Sequence, residues 1–121
     1  MTTIVIKKDD SNAYRGFLCM GHAQYAKRKQ FGKKGSSDIL GGDILCAAIS
    51  ALVISAINSL EELAGEKLKV VSNEEDGFIR CDFCEPLQEK SVFLMDSLVY
   101  SLENLSKQYG RQYLQIRFEE V

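Results

Sequence analysis

Residues 41–52 read GGDILCAAISAL. Two glycines and an acid precede a thiol, and small or branched apolar residues follow it. Asp43 suits an N-cap, because its carboxylate accepts from the backbone N–H groups that a first turn leaves unpaired. The stretch therefore predicts a helix from Ile44 to about Ala64, with Gly65 as its stop. A start at Asp38 would bury Gly41 and Gly42 in the helix, at about 1 kcal/mol each relative to alanine. The apolar run Ile44 to Leu60 is broken by Ser50, Ser55, Asn58 and Ser59. It reads as a buried helix rather than a membrane span. It is apolar nearly all round, so one sheet face leaves part of it uncovered, and a second copy of the chain is expected there.

Working outward, TTIVIK (Thr2 to Lys7) is a β-branched stretch and reads as a strand. The turn residues DDSN follow, and Tyr14 to Met20 alternates around Phe17 and Cys19 as a second strand. Beyond the first helix, Lys67 to Ser72 and Phe78 to Phe83 read as a hairpin around Asn73 to Gly77 (NEEDG). Pro86 suits the first turn of a second helix. Leu87, Leu94, Leu98, Leu102, Leu105 and Tyr109 give that helix one apolar face, and Gly110 stops it. Tyr113 to Phe118 makes a last strand. The order ββαββαβ predicts an α+β domain: a mainly antiparallel sheet with two helices packed on it.

At 121 residues the chain has the length of one domain, 1–121, with enough core to need no disulfide staples. The formal net charge of −2 excludes a general attraction to nucleic acid. No signal peptide opens it, so a cytoplasmic location with four reduced cysteines is expected. The stretch at about 24–42 has no strong period and reads as a long flexible loop carrying Lys27, Arg28, Lys29, Lys33 and Lys34. Such a cluster suits contacts to ribosomal RNA phosphates, or a solvated loop that gates a site.

A thiol near a helix N-terminus leans toward thiolate, since the dipole and unpaired N–H groups favour the anion. Cys46 is accordingly a candidate nucleophile, and the alternative is a small buried hydrophobe. His22, the only histidine, follows the second strand's end and supplies a candidate base. Ser50 lies one helical turn after Cys46, and Asp43 is placed to orient the histidine or cap the helix.

These residues resemble a known family. Gly21-His22-Ala23, followed by Asp43-Ile44-Leu45-Cys46-Ala47-Ala48-Ile49-Ser50-Ala51-Leu52, is similar to the two motifs of the ribosomal-processing cysteine protease family, Prp. The resemblance implies a small homodimeric bacterial peptidase that needs no cofactor. Its implied substrate is the N-terminal extension of large-subunit ribosomal protein twenty-seven. By position it implies Cys46 as nucleophile, His22 as base, and Gly21, Asp43 and Ser50 as supporting residues. One departure is plain: Ala23 to Leu45 is a longer span between histidine and cysteine than the family uses. It contains a near-duplication, Asp38-Ile39-Leu40 and then Asp43-Ile44-Leu45.

Other readings remain open. Cys19 and His22 form a C-x₂-H pair and Cys81 and Cys84 a C-x₂-C pair, which together would make a zinc site if both turned toward one point. No metal is expected, because residues three apart on a strand face opposite sides. GxxxxGK(S/T) is absent, so the basic loop is no P-loop. A ribosome- or RNA-binding module without catalysis is the remaining alternative.

Overall fold

The computed structural model describes residues 1–21, 36–73, 75 and 77–121, with backbone alone over 36–43. The elements run β1 (Thr2–Lys8), β2 (Tyr14–Met20), α1 (Ser36–Asn58) with a π-helical turn (Ser59–Leu63), β3 (Leu68–Asn73), β4 (Phe78–Phe83), α2 (Glu89–Tyr109) and β5 (Leu114–Glu120). The five strands form one sheet in the order β3-β4-β2-β1-β5. All neighbours are antiparallel except β1 and β5, which run parallel. The α+β class and the ββαββαβ order are as expected.

Both helices cover the same sheet face. Ile4 and Ile6 of β1, Phe17 and Cys19 of β2, and Cys81 and Phe83 of β4 point into one core with Leu114 of β5. Their spacing of two is what places them on a single face. Onto this floor α1 sets Leu45, Ile49, Val53 and Ala56, a stripe at intervals of three and four that Leu60 of the π turn continues. Alongside it, α2 sets Met95, Leu98, Val99 and Leu102. The Ser106 hydroxyl donates to the carbonyl of Leu114 at 2.7 Å, tying α2 to β5. On the other face Lys7 donates to Asp82 at 2.8 Å, and Arg80 meets the same carboxylate at 2.8 Å.

Two helix starts differ from expectation. Helix α1 begins at Ser36, so Gly41, Gly42 and Asp43 lie inside it and Asp43 is not its N-cap. The glycine cost is local and small, whereas each added helical residue contributes a backbone hydrogen bond. The helix thus takes in the last part of the loop expected at about 24–42; residues 22–35 lie outside the described residues. Helix α2 begins at Glu89, after Pro86 rather than around it. The Glu66 carboxylate accepts from the Gln88 N–H at 3.0 Å, and the Gln88 side chain donates to the Ala64 carbonyl at 2.8 Å. These bonds fix where α2 starts and join it to the end of α1. There the Ala64 N–H reaches back to Ser59 at 3.0 Å, and Gly65 (φ +71°) ends the segment as expected.

The segment Ile44–Leu63 is long and apolar enough to cross a membrane by length and composition. Its inward stripe is consumed by the core just described. Ile44 and Ile54, at 55% and 48% exposure, are not covered by either the sheet or α2.

Candidate active site

Beside the inward stripe of α1 runs a second one: Cys46, Ser50, Ile54 and Ile57. It forms one wall of a cavity of about 480 Å³. Val70 and Ser72 of β3, Ile79 and Phe78 of β4, and Cys19 of β2 form the opposite wall. The cleft is therefore mostly apolar, with Ser50, Ser72 and Thr2 among its lining residues. A thiol in such a cleft can attack a carbonyl whose neighbouring apolar side chain fills the space.

Cys46 is half-buried and packs against the core. The extension of α1 back to Ser36 puts it roughly three turns into the helix rather than in the first turn. The unpaired first-turn N–H groups are thus not beside its sulfur. Ser50 lies one turn further on, exposed, with its side chain at the same cavity. Asp43 falls within α1, one turn before Cys46; its side chain is outside the described residues.

Gly21 also lines the cavity. Its φ is +83°, and a Cβ there would stand 2.7 Å from the carbonyl oxygen of Met1. Only glycine suits both the left-handed backbone and the close approach. The chain thus leaves β2 at the cavity wall. The next residue, His22, lies outside the described residues.

Cys19 is a second thiol in the cleft, which the sequence offered as a strand packing residue or a zinc ligand and not as part of the peptidase site. Its place in the alternation Phe17, Cys19 was the available signal. Burial, and secondly the neighbouring Cys46, push its pKa up to about 11. It stays a neutral thiol at physiological pH. The contributions of Val70, Ser72 and Phe78 carried no sequence signal, because they read as ordinary strand positions.

Cys81 is buried on the helix-covered face, and burial, aided by nearby negative groups, pushes its pKa up to about 12. Cys84 lies past the strand end and is exposed. The pair therefore has one thiol inside the core and one in solvent. Among the described residues no three His, Cys, Asp or Glu side chains cluster to hold a metal ion.

Comparison with known proteins adds to this geometry. The family model described as cysteine protease Prp matches residues 1–114. The ribosomal processing cysteine protease Prp of Bacillus subtilis (strain 168) is 26% identical over 113 residues, spanning 90% of each chain. The fold is similar to that of the ribosomal processing protease Prp from S. aureus in complex with a substrate peptide. That match has a TM-score of 0.79 at 18% identity, over 98% of this chain and 100% of that one. SMU.848 from Streptococcus mutans gives a TM-score of 0.77 at 22% identity, over 100% and 99%.

Proposed function

The chain belongs to the cysteine protease Prp family, and from that premise we propose that it removes the N-terminal extension of large-subunit ribosomal protein twenty-seven, with Cys46 as nucleophile and His22 as general base. The observation that carries the reading is the cavity. Cys46 opens into it, and Gly21, the residue before His22, lines it too.

In this mechanism the Cys46 sulfur adds to the scissile carbonyl while His22 takes the thiol proton. His22 returns that proton to the leaving amine as the C–N bond breaks, leaving a thioester. His22 then takes a proton from water, the resulting hydroxide attacks the thioester, and the acid product leaves with the thiol restored. Gly21 holds the turn that delivers His22, Asp43 orients the imidazole, and Ser50 offers a hydroxyl beside the reacting carbonyl. The apolar cleft takes the side chain next to the scissile bond.

Three further parts belong to the proposal. Ile44, apolar and exposed on α1 away from the cavity-lining residues, supports a homodimer contact. The basic residues Lys27 to Lys34 support a contact with ribosomal RNA. The site of action is the cytoplasm. The test is incubation with the N-terminally extended ribosomal protein and mass measurement of the product: one truncated species supports the proposal, and an unchanged mass refutes it.

A further inference from the structure

Strand β3 is an edge of the sheet among the described residues, paired only with β4. Leu68 stands opposite Phe83, Val70 opposite Cys81 and Ser72 opposite Ile79. Just before the strand, the Cys84 N–H donates to the Lys67 carbonyl at 3.0 Å. Bonded and non-bonded pairs alternate along an antiparallel ladder. With Lys67 and Cys84 a bonded pair, the next bonded pairs are Lys69 with Asp82 and Val71 with Arg80. The backbone N–H and C=O groups of Leu68, Val70 and Ser72 then point away from β4, toward the free edge.

Val70 and Ser72 also turn their side chains into the Cys46 cavity. The same two residues thus offer backbone groups at the edge and side chains at the cleft. Edge strands are usually guarded by charge. The opposite edge, β5, carries Arg117, Glu119 and Glu120. The sequence of β3 is LKVVSN, and its one charge, Lys69, alternates onto the face away from α1.

We propose that the substrate docks by strand addition: its extended segment pairs with the outer edge of β3, beside α1, and sends alternate side chains into the cavity at Cys46. This rests on the peptidase reading and names the surface that reading uses. A scissile bond must be presented on an extended backbone, and pairing with β3 would hold that backbone without demanding a sequence. The cavity then reads only the residues that fall on its face.

The test separates docking from chemistry. A synthetic peptide of the substrate's N-terminal extension is titrated against Cys46→Ala, Cys46→Ala/Ser72→Pro and Cys46→Ala/Ser72→Ala proteins by fluorescence anisotropy. Proline at 72 removes the outward N–H but leaves the bonds to β4 in place. It should weaken binding about ten-fold, and clearly more than alanine at 72, which removes the hydroxyl at the cleft but keeps the outward N–H. Peptides N-methylated at successive positions should lose affinity with a period of two, and this arm needs no folded variant of β3. Cleavage of the same peptide by the unsubstituted protein reports separately on the peptidase reading. Equal affinity of the proline variant, no period in the N-methyl series, or no binding to Cys46→Ala would each overturn the proposal. So would a halved solution mass of the Ser72→Pro protein, which would give the edge to a second copy of the chain.

Discussion

Cys19 and Cys46 line one cavity from opposite walls, the first on β2 and the second on α1. They should differ in reactivity. Burial raises the Cys19 pKa to about 11 and that of Cys81 to about 12, so both remain protonated and unreactive at neutral pH. Iodoacetamide at pH 7, followed by peptide mapping, should label Cys46 first and Cys19 and Cys81 last. The exposed Cys84 should fall between, as an ordinary accessible thiol. Equal labelling of all four would remove the case for an activated nucleophile.

Gly16 on β2 has no room for a side chain. A Cβ there would lie 2.5 Å from the backbone carbonyl oxygen of Cys81 on β4. Backbone in the middle of a ladder cannot swing aside as a side chain tip does. Gly16→Ala should destabilise the fold by about 2 kcal/mol through overpacking, seen as a lower urea midpoint with unchanged slope.

Asp82 should make the sheet's open face acid-sensitive. Burial pushes its carboxyl pKa up, but the hydrogen bonds and charges of Lys7 and Arg80 outweigh this and hold it below the usual 3.8. The folded state therefore gains stability from the carboxylate above about pH 4 and loses it as pH falls through the depressed value. Asp82→Asn should cost about 1 kcal/mol at pH 7 for this partly exposed pair. The difference from the parent should shrink when urea unfolding is repeated near pH 3.

The zinc alternative makes its own forecast. Cys81 is buried in the core and Cys84 is exposed to solvent. Elemental analysis of protein purified without chelator should find well under one zinc per chain. Stoichiometric zinc, lost together with folding in Cys81→Ser, would replace the peptidase reading with a structural metal site.

The strand pattern was legible because its signals are local. Tyr14–Met20 and Phe78–Phe83 have the ends their alternation and flanking turns predict. The start of α1 was not legible for the same reason. Ser36, Asp38 and Asp43 are all capping residue types, and the two glycines argued locally for the last of them. A propensity cost of about 1 kcal/mol per glycine cannot arbitrate once backbone bonding extends the helix. Pro86 misled at α2, because the deciding bond runs from Gln88 to Glu66, far away in sequence. Of the site, Cys46 was picked out by an expected place at a helix head, which the longer α1 removes, and Ser50 by its spacing of one turn from Cys46. The wall supplied by β3 and β4 depends on sheet order, which no local pattern encodes.

In the proposed mechanism Cys46 carries the acyl group during peptide cleavage. This is tested by mixing the protein with excess extended ribosomal protein or its peptide, quenching in acid within the first turnover, and measuring the intact mass. An adduct equal to the acyl fragment, mapped to Cys46, is the expected result. Adduct and product should both be absent in Cys46→Ala, and product formation should fall at least about 10³-fold in His22→Ala, with both variants still folded. Undiminished cleavage by Cys46→Ala, or an adduct on another residue, would contradict it.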